Sequence, residues 1–203
     1  MSKPSDGPAQ QEASEQIAAW VHAALRGDLG AFDRLVERFQ RQALAVAYRL
    51  LNNRDDAMEV TQDALMKAYD KLASLSKPER FGPWLMRIVS NLSLNRRRSR
   101  ALRRMIPLDA ESADGQNDRH AGDLVDAQAD RPGEIVSGEE LDEQFAEALE
   151  QLSEKQRQAL VLFSLAELPQ KEVARQLGCS VQAVKWHVFS ARKRLKDILA
   201  DYL

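Results

Sequence analysis

Six arginines in nine residues, Arg96, Arg97, Arg98, Arg100, Arg103 and Arg104, are the densest chemistry in the chain. A guanidinium stays protonated in a protein, so the cluster is a fixed positive charge whose donors are spaced for carboxylate or phosphate oxygens. Arginine near a helix C-terminus complements the helix dipole, but by less than about 1 kcal/mol each and only in the last turn. Six exceed that need, and phosphate is the natural ligand. Catalytic groups are not gathered in this way. His22, His120 and His187 fall in unrelated segments, and the single cysteine is Cys179. Most acids lie on solvated helix faces or in one acidic stretch. No catalytic residue, metal site or cofactor is expected, and the chain reads as a binding protein, not an enzyme.

The arginines need a helix to carry them. Trp84, Leu85, Ile88, Val89 and Leu92 recur at helical spacing just before them, and Pro83 suits the first turn of that helix because its missing N–H would be unpaired there. Pro78, Gly82 and Pro83 make residues 74–82 a loop. Upstream, Ala57, Val60, Ala64, Ala68 and Leu72 form one narrow apolar stripe, with Asp56, Glu59, Gln62, Asp63 and Lys67 along the other side. Earlier still, Ile17, Trp20, Val21, Ala24 and Leu25 predict a helix that Gly27 stops. Asp28 is placed to cap the next one, in which Phe32, Leu35, Val36, Phe39, Ala43, Val46, Ala47 and Leu50 keep the stripe. Trp20, Phe32, Phe39, Tyr69 and Trp84 are assigned to the core; Phe81, at the loop-to-helix junction, is left between core and surface. Four helices over residues 15–104 are expected, after a disordered N-terminus at 1–14.

Helical period returns after residue 140 with Phe145, Ala148, Leu149 and Leu152. Ser153 and Gln156 have the form of a capping box, opening a helix with Ala159, Leu160, Leu162 and Phe163. From Gln170 the chain reads as a helix-turn-helix. Ala174 is small where two crossing helices approach, Gly178 supplies a left-handed residue, Ser180 caps the second helix, and Val184 packs across the turn. If Val184, Val188, Ala191 and Leu195 face inward, then Gln182, Lys185, Trp186, Phe189, Arg192 and Lys193 face out. Two exposed aromatics among cations suit a base edge or a thymine methyl better than bare solvent.

The overall charge of −2 conceals a division. Residues 23–104 hold 17 Lys/Arg against 9 Asp/Glu, residues 105–140 hold 2 against 10, and residues 141–203 hold 9 against 9. A polyanion meets local charge, so the acidic stretch at 105–139 is read as a flexible linker between two small domains. The fold class expected is all-α, with domains at 15–104 and 140–203. With no run of 18 apolar residues and no apolar segment near residue 1, no membrane insertion is expected, and the compartment is the cytoplasm.

The segment with Asp56, Ala57, Glu59, Val60, Gln62, Asp63, Lys67, Ala68 and Tyr69, followed by Phe81, Trp84, Leu85, Ile88, Val89, Asn91, Asn95 and a basic run, resembles region 2 of an extracytoplasmic-function (ECF) sigma factor of bacterial RNA polymerase. The helix-turn-helix is similar to region 4 of the same family, although Trp186 and His187 stand where small polar and arginine residues are usual. The resemblance implies a transcription initiation factor. Asp56, Glu59, Gln62, Asp63 and Lys67 would dock on core RNA polymerase. Asn91, Asn95, Arg96, Arg97, Arg98 and Arg100 would meet the minus-10 element of promoter DNA and help open it. Gln182, Lys185, Trp186, Phe189, Arg192 and Lys193 would read the minus-35 element. It also implies that the acidic linker threads through the polymerase, against the simpler reading of a solubilising spacer; both stay open. Members of the family are often held inactive by an anti-sigma factor, and the sequence leaves open whether this chain has one. The helix-turn-helix alone also fits a conventional regulator that binds duplex DNA without polymerase.

Overall fold

The computed structural model describes residues 8–105, 145 and 147–200. Among these residues the structure is all-α, with no strand. The expected linker lies outside them, as do the side chains of Arg103 and Arg104.

Four helices form the N-terminal bundle: α1 (Pro8–Leu25), α2 (Leu29–Leu51), α3 (Arg54–Asp70) and α4 (Phe81–Met105). Local chemistry sets their ends. Asp28 caps α2 by accepting from the Ala31 N–H at 3.2 Å, and Asn53 caps α3 by accepting from the Asp56 N–H at 2.8 Å. Between them Asn52 takes a left-handed turn at φ 51°, a conformation that asparagine tolerates. The apolar stripes meet as the periodicity requires: Leu35, Val46 and Leu50 of α2 are buried with Ala57, Val60 and Ala64 of α3 and with Leu85 and Val89 of α4. Alanine at three positions of α3 lets the helices approach closely. On the buried face of α4, Ser90 and Ser93 donate back to the Met86 and Val89 carbonyls, which satisfies their hydroxyls inside the core.

Three expectations change. Helix α1 begins at Pro8, inside the stretch expected to be disordered, because Ala-Gln-Gln-Glu-Ala-Ser-Glu-Gln contains good helix formers. The 74–82 loop holds a short 3₁₀ turn, Pro78–Arg80, against which α1 packs, a second one, Leu72–Ser74, precedes it, and α4 starts at Phe81. Phe81 joins the aromatic core and Tyr69 does not. Its side chain is fully buried, with ring centroids 5.6 Å from Phe39, 5.8 Å from Trp84 and 6.4 Å from Phe32. Tyr69 instead lies 45% exposed at the rim, edge-on to Phe32. Phe32 and Phe39 are buried, and Trp20 and Trp84 are half-buried. Gly82 permits the aromatic packing, since a Cβ there would lie 2.6 Å from the Phe39 ring.

The C-terminal unit consists of α5 (Glu154–Leu160), α6 (Gln170–Leu177) and α7 (Val181–Ile198). The Ser153–Gln156 capping box is formed in both directions. After Leu160 the helix widens into a π-turn, Val161–Leu165, and Glu167 leaves it at φ 53°. Gly178 adopts φ 63° at the turn between α6 and α7, and Ser180 caps α7 by accepting from the Ala183 N–H at 3.1 Å. Val173, Ala174, Val184, Val188, Ala191 and Leu195 close the small core.

Candidate nucleic-acid and partner interfaces

Helix α4 enters the bundle apolar and leaves it cationic, and most of its arginines already hold an acid or a carbonyl. Arg96 and Arg100 both pair with Asp56 of α3, and Arg96 also pairs with Glu59. Two of the acids expected to face a partner are thus tied to two of the arginines expected to face DNA. Sequence could not join them, because the pairing depends on α3 and α4 lying side by side. Gln62, Asp63 and Lys67 on the same helix are exposed. Asn91 and Asn95 are exposed too, one turn apart on α4.

The remaining arginines reach the C-terminal unit. Arg97 makes a two-pronged contact to the Glu154 carboxylate, 3.0 Å from each nitrogen, and donates to the Leu50 carbonyl at 2.8 Å. The Arg97 guanidinium beside Glu154 holds that carboxyl below its ordinary value against an opposing effect of burial. Arg157 lies in the same cluster, and burial followed by the nearby Arg97 charge pushes its pKa down. Arg98 donates to the Gln176 carbonyl at 3.0 Å, and Arg87 pairs with Glu172 at 3.3 Å. No sequence pattern marks Glu154, Glu172 or Gln176 as partners of these arginines.

On α7, Gln182, Lys185, Trp186, Phe189, Arg192 and Lys193 are all exposed, with Trp186 58% and Phe189 70% accessible. Arg192 is steadied by a hydrogen bond to Ser164 at 3.1 Å and by the Phe163 ring. His187 is half-buried against the edge of Trp186. This face is therefore cationic and aromatic at once.

A feature missed in the sequence flanks the acids of α3. Phe32, Val36, Leu65, Met66 and Tyr69 line an apolar groove of about 480 Å³ between α2 and α3. Met66 is 69% exposed there. The available signal was Met66, a methionine off the apolar stripe of a helix that buries mainly alanine.

Comparison with known proteins covers both parts of this arrangement. The family model for Sigma-70 region 2 matches residues 35–103, and that for Sigma-70, region 4 matches residues 142–195. The ECF RNA polymerase sigma-E factor of Escherichia coli K12 is 30% identical over 186 residues, which span 91% of this chain and 95% of that protein. The chain belongs to the ECF sigma factors of RNA polymerase. Also similar to this sigma factor are the RNA polymerase sigma-H factor of Pseudomonas aeruginosa, 28% identical over 95% of this chain and 97% of its own, and the ECF RNA polymerase sigma factor SigW of Bacillus subtilis, 29% identical over 87% and 92%. Among solved structures, the sigma factor RpoE from Bartonella quintana, in complex with the anti-sigma factor NepR, is 27% identical with a TM-score of 0.53, over 83% of this chain and 96% of that one. The function of this sigma factor is accordingly promoter recognition for RNA polymerase. The region 2 match spans the acids of α3, most of the groove and Arg96, Arg97, Arg98 and Arg100 of α4; the region 4 match spans the exposed face of α7.

Proposed function

We propose that this sigma factor docks on core RNA polymerase through α3, grips the minus-10 element with α4 and reads the minus-35 element with α7. The observation that carries the reading is the presence of regions 2 and 4, in order, on one chain, each with its own exposed contact face. Asp63, Gln62 and Lys67 offer polar contacts to the polymerase, and the groove beside Met66 and Tyr69 adds an apolar one suited to a helical partner. Asp56 and Glu59 belong to the same face. On α4, Asn91 and Asn95 meet base edges or the opened strand while Arg96, Arg97, Arg98 and Arg100 hold phosphates. Taking a base out of the stack costs a few kcal/mol, so opening relies on many phosphate contacts and on the polymerase together. On α7, Lys185 donates to guanine or phosphate, and Trp186 and Phe189 contact thymine methyls.

The protein acts in the cytoplasm by binding, with no catalysis of its own. Among the described residues no helix is long and apolar enough to cross a membrane. An anti-sigma factor is a further partner, a reading supported by the similar Bartonella factor, which was solved with one bound. The domains divide near residues 104 and 140. The test is gel filtration with core RNA polymerase, followed by transcription from a promoter library. Co-elution with promoter-dependent initiation is expected. Tight binding of duplex DNA by the protein alone, without co-elution, would make it a conventional regulator.

A further inference from the structure

The π-turn Val161–Leu165 has no cause in its own residues, since neither proline nor glycine lies within it. It closes with a hydrogen bond from the Ala166 N–H to the Val161 carbonyl at 2.9 Å, one residue wider than an α-turn. Such turns are rare and recur at functional sites. Here the turn carries two consecutive side chains to one guanidinium, although successive residues of a regular α-helix diverge by about 100°. Arg192 of α7 donates from Nη2 to the Ser164 Oγ at 3.1 Å, and its Cζ lies 5.8 Å from the centroid of the Phe163 ring. Phe163 is half-buried and packed on the core, whereas Ser164 is exposed.

The place of Arg192 on α7 says what such a hold could serve. Val184, Val188, Ala191 and Leu195 are buried, so helical geometry sets Gln182, Trp186, Phe189 and Lys193 opposite them. Lys185 and Arg192 fall to one flank, two turns apart. A helix whose outermost residues enter a major groove brings its flanks to the backbone, which makes Arg192 a phosphate contact more than a base reader. Neither of its two partners is an anion. A hydroxyl and an aromatic face orient the guanidinium without neutralising it, and its other N–H donors stay open. Among the described residues Lys185 and Lys193 have no hydrogen-bond or ion-pair partner, so Arg192 is held where those cations are not. On the opposite flank Ser190 accepts from Gln156 of α5 at 2.9 Å, which ties α7 at a second point to the helix that runs into the π-turn.

We propose that Phe163 and Ser164 are positioning residues for minus-35 recognition: the π-turn holds them so that Arg192 is preset as a phosphate clamp. The clamp in turn sets the register at which Trp186 and Phe189 face base edges, because phosphate contacts orient a reading helix and base contacts specify. Presetting a long side chain removes the entropy cost of ordering it on the DNA. The proposal rests on the reading of α7 as the minus-35 reader.

The test uses the full chain assembled with core RNA polymerase, with initiation kinetics separated into promoter affinity and the rate of opening. Arg192→Ala should weaken affinity by a similar factor on promoters with different minus-35 sequences and lower the logarithmic salt slope by about 0.9. Ser164→Ala and Phe163→Leu should each weaken affinity about two- to tenfold at an unchanged rate of opening, and Phe163→Tyr, which keeps the ring, should restore it. In an Arg192→Ala background Ser164→Ala should have no further effect. A Ser164→Ala loss that persists undiminished in that background would be structural and would overturn the proposal, as would native affinity in both Ser164→Ala and Phe163→Leu. Should Phe163→Leu lower the thermal midpoint, Ser164→Ala, at an exposed position, carries the test. The reading of α7 fails separately: if Arg192→Ala leaves promoter affinity unchanged, this flank does not meet DNA and the proposal falls with it, whereas a loss in Arg192→Ala with an additive Ser164→Ala effect removes only the positioning.

Discussion

Asp56→Asn should move three properties of this protein in directions that no single role for Asp56 would give. The side chain is 20% exposed, in the first turn of α3, and faces two guanidinium groups. The amide keeps its volume, so core packing is untouched. What is lost is charge: about 0.2–1 kcal/mol for each partly exposed ion pair, and about 0.3–1 kcal/mol for the carboxylate at a helix N-terminus. Together that is about 0.7–3 kcal/mol, which for a bundle of this size lowers the unfolding midpoint by roughly 3–24 °C. The same change releases Arg100, while Arg96 keeps Glu59. One additional phosphate contact should steepen the logarithmic salt dependence of single-strand binding by about 0.7. Under the proposed docking of α3 on polymerase, polymerase affinity should fall as well. Thermal unfolding, anisotropy over a salt series and co-elution with core polymerase measure the three. A lower midpoint with an unchanged or shallower salt slope would refute the argument that Asp56 competes with DNA for the arginines of α4.

Three further perturbations follow from the packing and the caps. Gly82→Ala forces a Cβ against the Phe39 ring and should cost about 1–3 kcal/mol in denaturant unfolding; the cost should shrink in a Phe39→Leu background, and an equal cost there would mean that the ring is not the obstacle. Ser153→Ala removes one half of the capping box and should destabilise the C-terminal unit by about 0.5–2 kcal/mol, read as a lower thermal midpoint. Acid should open the protein: the Glu154 carboxyl is held down by Arg97, so its contribution is complete above the ordinary carboxylate range and is lost as pH falls through the depressed value. Scattering at neutral and acid pH should show that expansion, and Glu154→Gln should remove this part of the pH dependence.

Much of the fold was legible because its determinants are local. Asp28, Ser153, Gly178 and Ser180 each act within a few residues, and each does in the structure what its type and position predict. The face of α7 was legible for the same reason, since one apolar stripe leaves only one outward side. Phe81 and Tyr69 were not, because two aromatics near the ends of α4 and α3 exchange core for rim according to where Phe32 and Phe39 lie. Helical periodicity says nothing about that. The pairing of Arg97 with Glu154 joins residues 57 apart in sequence and depends on the docking of two units, each with a consistent pattern of its own. A run of arginine announces a need for anions; whether the anion is a nucleic acid or another part of the same chain is decided only in three dimensions.

The clasp on Arg97 and the pairing of Arg96 and Arg100 with α3 also bear on how such a protein travels. A chromosome is mostly non-promoter phosphate, and a bare cationic helix would dwell on all of it, since non-specific affinity rises with each phosphate neutralised. On the reading of α4 as a phosphate grip, a factor whose Arg96, Arg97 and Arg100 are held by Asp56, Glu59 and Glu154 would meet that excess of decoys with less free positive charge, and would leave it sooner to find polymerase.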